Sequence, residues 1–184
     1  SKEVNHSILS VGIVKKRKNF IVLVNAFKKL VKRKNFKDYK LFIVGQKEGM
    51  NDIDKNVIKH QSDNIIFTGK IPYHELLEYY KRANIFVFPT KFEGFGIPLI
   101  EAMASGTPVV CSDISVLREV GEDVPIYFDP KDDIDLENKI YNVLNDHQLA
   151  EQMSNNGKKI AKNYNWKESA SKLINIIYGD LKWK

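Results

Sequence analysis

Cysteine is almost absent. Cys111 is the only one among 184 residues, which excludes an internal disulfide. It lies in the apolar run Thr107–Cys111, where a buried, inert thiol is expected, and this usage suits a reducing cytoplasm. Long apolar runs are missing as well. No stretch approaches the roughly 18 residues of a membrane-spanning helix. Ser1–Ser10 is polar and lacks the apolar segment of a secretory leader. His6, His60, His74 and His147 are scattered without metal-ligand spacing. Asp52-Ile-Asp54 and Asp133-Ile-Asp135 both read Asp-x-Asp, yet each sits where a helix should begin, so capping is preferred to metal binding. Acids are scarce early in the chain. Between Lys15 and Lys40 only Asp38 is acidic, against eleven lysines and arginines, within a net charge of +6. Such a field favours anions, whether nucleotide, nucleic acid or acidic lipid. A solvated basic helix face explains it equally well.

What is present is ordinary for a soluble domain: 43% hydrophobic and 28% charged residues, a length that fits a single unit over residues 1–184. Short apolar, β-rich runs alternate with helical patterns. The runs are Ile8–Val14, Tyr39–Val44, Ile65–Thr68, Ile85–Phe88, Pro108–Cys111 and Pro125–Phe128. They are nearly continuous, as strands covered on both faces should be. Helical spacing appears at Phe20–Lys34, Tyr73–Arg82, Ile97–Ser105, Ser115–Val120, Asp133–Leu144, Gln148–Lys162 and Trp166–Leu181. The alternation predicts an α/β domain with a doubly wound, mainly parallel sheet of Rossmann-like type. Ligands of such sheets bind beyond the carboxyl ends of the strands, here after Val14, Val44, Thr68, Phe88 and Cys111.

The most informative segment is Pro89–Gly106, PTKFEGFGIPLIEAMASG. Gly94 and Gly96 let the backbone turn and expose its N–H groups, and Pro98 suits the first helical position. A helix start here offers free N–H groups and a positive dipole end to an anion. Glu93 and Glu101 frame that site. A carboxylate beside a phosphate is unfavourable unless it has hydroxyls to accept, and a sugar nucleotide carries hydroxyls at both ends. A plain glycine-rich turn followed by a helix with solvent-facing acids is the other reading. Tyr73, Tyr79 and Tyr80 share one helical pattern and read as packing residues.

The segment resembles the Glu-x7-Glu motif of retaining glycosyltransferases of the two-domain GT-B type, in the group 1, family 4-like branch. Glu93-Gly-Phe-Gly-Ile-Pro-Leu-Ile-Glu101 followed by Ala-Met-Ala-Ser-Gly-Thr-Pro-Val-Val is similar to that motif nearly residue for residue. Ser10-Val-Gly12 with Lys18-Asn19, Leu41–Gly45, Phe67-Thr-Gly69-Lys-Ile71 and Asn165-Trp166 extend the likeness over the chain. The resemblance implies the C-terminal, nucleotide-sugar-binding domain of such an enzyme, with the N-terminal acceptor domain missing. It implies that Glu101 accepts ribose hydroxyls and that Glu93, with the backbone of Gly94, Phe95 and Gly96, holds the transferred sugar. The N–H groups of Ile97 and Leu99 would face the diphosphate. Lys18 would offset the leaving-group charge, the backbone near Ile71 would contact the base, and Gly12 and Gly45 would let the loops approach the nucleotide. The donor would be a UDP- or GDP-linked sugar, with no metal and no separate cofactor, because the helix start and Lys18 supply the positive charge.

Many members carry an arginine five positions before this lysine, where this sequence has Ile13. Arg17 is near in sequence but, adjoining Lys18, is expected to point elsewhere. The fragment alone is expected to turn over little. The full-length protein is expected to be cytoplasmic with peripheral membrane association and no nucleic-acid partner. The closing pattern, with Trp166, Leu173, Ile176 and Ile177, packs in the core on one reading and faces the partner domain on the other. Two other functions remain open: a sugar-nucleotide epimerase of the same architecture, and a non-catalytic basic module that docks on anionic membrane or nucleic acid.

Overall fold

A computed structural model describes residues 6–46 and 52–179, without the side chains of residues 52–54 and 179. Six short apolar segments pair side by side: β1 (Ser7–Val11), β2 (Lys40–Val44), β3 (Ile65–Gly69), β4 (Ile85–Phe88), β5 (Val109–Ser112) and β6 (Ile126–Phe128). Every ladder is parallel, and the order is β3-β2-β1-β4-β5-β6. Because successive residues of a strand point to opposite faces, the continuous apolar runs feed two cores. Ile8, Leu41, Ile43, Ile85 and Val87 enter one core. Leu9, Val44, Phe86, Phe88 and Val109 enter the other. The doubly wound reading of the sequence is therefore what the chain adopts.

The first core is roofed by α1 (Phe20–Leu30) and α6 (Asp133–Asn145), the second by α3 (Tyr73–Arg82), α4 (Ile97–Ser105) and α5 (Ser115–Gly121). Helix α2 (Asp52–Ile58) lies beside α1, and α7 (His147–Ala161) packs on α4. The chain closes with α8 (Trp166–Gly179). The basic face of α1 is largely accounted for by α6. Lys29 donates to Asp133 at 2.5 Å and Arg33 to Glu137 at 2.6 Å, and the Glu137 side chain is only 5% exposed. Charge in the early segment thus cements two helices as well as facing solvent.

Several boundaries differ from the sequence-based ones. The first strand stops at Val11 rather than Val14, although the N–H groups of Gly12 and Val14 still bond the carbonyls of Val44 and Gln46. Helix α1 ends at Leu30 rather than Lys34. Lys32 and Arg33 bond three residues back, and Asn35 then adopts φ +75°, so the helix tightens and breaks. Pro108 and Pro125, without an N–H, stand just outside β5 and β6. A helix does begin at Asp52, but the side chains of the first Asp-x-Asp pair lie outside the described residues. At the second pair the cap is Asp132, which accepts from the N–H groups of Ile134 and Asp135. Asp133 instead pairs with Lys29, and Asp135 accepts from the Asp129 N–H. Helix α8 does not pack into either core: Trp166 is 82% exposed and Ile176 66%. Among the described residues no helix is long and apolar enough to cross a membrane.

Candidate functional site

The strand order reverses between β1 and β4, which opens a crevice at the carboxyl edge between the loops that leave these two strands. On one side of it three neighbouring strands finish in glycine. The Gly12 N–H donates to Val44 O at 2.9 Å and the Gly45 N–H to Gly69 O at 3.0 Å. A Cβ on Gly45 would collide with the Gly12 carbonyl, and one on Gly12 would meet Lys18 Cε at 3.0 Å. The bare edge therefore lets two loops touch and lets the stem of Lys18 lie across the end of β1.

Lys18 closes the single 3-10 turn Lys16–Lys18, and Asn19 in a left-handed conformation (φ 55°) then launches α1. Its Nζ donates to Glu93 Oε1 at 2.6 Å and stands 4.8 Å from the centre of the Phe88 ring. Both side chains of the pair are about nine-tenths buried. Burial lowers the Lys18 pKa, with the Glu93 carboxylate pulling the other way. Arg17 does not point elsewhere. Its Nη1 reaches the same Glu93 oxygen at 3.3 Å, although Arg17 directly precedes Lys18 in the same 3-10 turn. The Thr90 hydroxyl lies 2.8 Å from Oε1 as well. Glu93 Oε2 has no partner among the described residues. Ile13, 39% exposed, contributes no charge.

Downstream the chain turns into α4. Gly96 has φ +98°, and a Cβ there would come within 2.8 Å of Leu117 Cδ2, so this position requires glycine. Gly94 does not: its φ is not left-handed and a Cβ would meet nothing within 4 Å. The helix begins at Ile97, which puts Pro98 one place later than expected. The N–H groups of Gly94, Phe95, Gly96 and Ile97 meet no acceptor among the described residues. The Leu99 N–H is not one of them, because it bonds Gly96 O at 2.9 Å and its side chain is fully buried. The run of free donors is thus one loop and one helical residue, with the dipole of α4 behind it. The Phe95 ring, half exposed, leans edge-on against Tyr164 at 5.7 Å.

One turn into α4, Glu101 Oε2 accepts from the Tyr80 hydroxyl at 3.0 Å. Burial raises the Glu101 pKa, while the Tyr80 hydrogen bond acts against that rise. Ile71 is partly buried against the second core, two residues before Tyr73 on the loop from β3. Fold and sequence spacing thus bring Lys18 and Glu93 into contact and put Glu101 on the same loop-to-helix segment. Arg17, Tyr80 and Thr90 are participants that sequence reasoning missed. Among the described residues no cluster of three or more His, Cys, Asp or Glu side chains could hold a metal.

A parallel sheet in this order, with open N–H groups and a buried lysine at its switch point, defines a Rossmann-like α/β domain. The particular family is plain from comparison: the family model of group 1 glycosyl transferases matches residues 2–160, and the chain belongs to that family. It is 31% identical over 169 residues to the O-antigen chain mannosyltransferase B of Escherichia coli, covering 91% of this chain and 44% of that protein. It is 35% identical over 145 residues to the O-antigen chain mannosyltransferase RfbU of Salmonella typhimurium, covering 77% of this chain and 39% of that one. Among solved structures, sucrose-phosphate synthase from Thermosynechococcus elongatus superposes with a TM-score of 0.81 at 28% identity, over 96% of this chain and 46% of its own. A glycosyltransferase of Rickettsia africae superposes at 0.86 with 19% identity, over 97% and 48%, a likeness of fold. The chain spans less than half the length of these relatives.

Proposed function

We propose that this chain is the donor-binding domain of a retaining glycosyltransferase, which moves a hexosyl group from a nucleoside-diphosphate sugar to an acceptor hydroxyl during cell-surface polysaccharide synthesis. The observation that carries the reading is the sequence of groups along one edge: a buried Lys18, Glu93 with one free oxygen, four open N–H groups, then Glu101. In this reading the open N–H groups of Gly94–Ile97 and Lys18 hold the diphosphate. Donors aimed where charge develops stabilise the departing group without reorganising. Glu93 Oε2 accepts a sugar hydroxyl and Glu101 a ribose hydroxyl, while the glycine ends at Gly12 and Gly45 leave room for the nucleotide. The base lies near Ile71. No metal is needed for charge balance in this scheme, since Lys18 and the start of α4 provide it.

The acceptor is read by the part of the longer protein that this chain does not span. That part would cover the exposed apolar face of α8. The mannosyltransferase names of the E. coli and Salmonella relatives make mannose the first sugar to test. The pairing of α1 lysine and arginine with α6 acids speaks against a module built for non-specific polyanion binding. The test is product analysis with the longer protein, a nucleotide mannose donor and an acceptor glycan. Transfer with the anomeric configuration kept, and lost on Glu93→Ala, is expected. Interconversion of the free nucleotide sugar without transfer would point to an epimerase, and an inverted product would refute the retaining mechanism.

A further inference from the structure

The loop that carries the open N–H groups has little of its own to hold it. Gly94 and Gly96 bring no side chains, and a Cβ at Gly94 would meet nothing within 4 Å. The one side chain between Glu93 and the start of α4 is Phe95. It is 47% exposed and belongs to neither core. Its ring contact among the described residues is Tyr164, with centroids 5.7 Å apart and planes at 77°. That is the edge-to-face arrangement favoured by aromatic quadrupoles. Tyr164 arrives there because α7 packs along α4 in the opposite direction. Gly157 of α7 lies against Met103 of α4, and Lys158 lies beside Gly106. Seven residues after Gly157 the chain has left α7 and stands next to the loop that precedes α4. Tyr164 is itself fixed at three points. Its side chain packs against the second core, its hydroxyl donates to Val120 O at 3.1 Å, and its N–H donates to Ala161 O at 3.1 Å. A firmly held ring thus stands beside a loop rich in glycine.

We propose that Tyr164 is a positioning residue: through the ring of Phe95 it holds the Gly94–Ile97 loop in place, so that its N–H groups are already aligned before a diphosphate arrives. This rests on the reading of those N–H groups as the diphosphate site. Two glycines around one residue give the backbone wide conformational freedom. If the loop were free, a ligand would have to order it on binding, and that cost would be subtracted from affinity. Donors fixed in advance avoid the cost. The only tether available inside the loop is the Phe95 ring, and the group it rests on is Tyr164. The hydroxyl bond to Val120 O ties this support to the end of α5. Leu117 of the same helix lies where a Cβ on Gly96 would have to go. One short helix therefore backs the loop twice, directly at Gly96 and through Tyr164 at Phe95.

The test combines two readouts on this chain and its Tyr164→Phe, Tyr164→Leu, Phe95→Leu and Tyr164→Leu/Phe95→Leu variants. Nitrogen NMR relaxation reports the order of the Phe95 and Gly96 N–H groups without ligand, and calorimetry follows binding of UDP, GDP and ADP. Tyr164→Leu is expected to lower those order parameters from about 0.85 to below about 0.6. It is also expected to weaken nucleotide binding about fivefold, the worth of one aromatic pair. Tyr164→Phe keeps the ring and should retain both the order and the affinity to within about twofold. Phe95→Leu should match Tyr164→Leu, and the double variant should lose nothing more, because both changes break one contact. Phe95 is half exposed, so its variant supplies the same reading if Tyr164→Leu does not fold. Unchanged loop order in Tyr164→Leu or Phe95→Leu would overturn the proposal, and so would losses that add in the double variant. If no nucleotide binds the unmodified chain, the donor reading fails, while the relaxation data still judge whether Tyr164 orders the loop.

Discussion

Lys18 holds its charge where most lysines do not, under a lid of protein and against an aromatic ring. Its burial lowers the pKa, and a carboxylate at 2.6 Å recovers part of the loss. A buried pair of this kind is weak evidence for stability, because desolvation offsets much of the Coulomb attraction. Its value lies in fixing where the ammonium stands, with protons left over for a second anion. A bound diphosphate would raise the Lys18 pKa again, so binding takes up a proton wherever the free lysine has begun to titrate. Nucleotide affinity is therefore expected to fall as pH rises through the Lys18 titration, below the ordinary lysine range. The slope should vanish in Lys18→Ala. Calorimetry across alkaline pH checks this, and equal slopes in both proteins would contradict it.

At the scale of elements, the loop ends matter more than the strands and helices they join. Gly45 faces backbone, the carbonyl of Gly12 and the N–H of Ile13, and neither can yield as a side chain would. Gly45→Ala is expected to cost about 1–3 kcal/mol of stability, the usual range for overpacking. Gly94→Ala, with open space around it, should leave the midpoint of denaturant unfolding unchanged. Equal midpoints for the two variants would contradict the account. Much of this layer was legible in the sequence. Continuous apolar runs such as Ile85–Phe88 announced buried parallel strands, and Glu93 and Glu101 stood out because glycines and a proline lay between them. What the sequence hid depends on chain crossing. Arg17 turns to Glu93 across 76 positions and Tyr80 to Glu101 across 21, and neither pairing leaves a local pattern. Leu99 was misassigned for a related reason. A helix start exposes several N–H groups in principle, but the bond from Leu99 back to Gly96 removes one of them.

Over the whole molecule, charge and apolar surface are unevenly distributed. Lys29 and Arg33 are matched by α6. Lys15, Lys16 and Lys91 remain exposed and line a cavity on the outer flank of the loop that carries Lys18. That positive surface adjoins the proposed diphosphate site and favours the approach of anions to it. Helix α8 leaves Leu173, Ile176 and Ile177 open, and the relatives are more than twice as long as the stretch they share with this chain. On the proposed reading the chain should retain its own ligand site, because every group assigned to the donor comes from these residues. The most direct test is a calorimetric titration of the chain with UDP, GDP, ADP and their sugar conjugates. Saturable binding to one diphosphate class, weakened about tenfold or more by Glu101→Ala and by Lys18→Ala, is the predicted result. Binding of equal strength in the unmodified chain and both variants would contradict the assignment of this edge as the donor site.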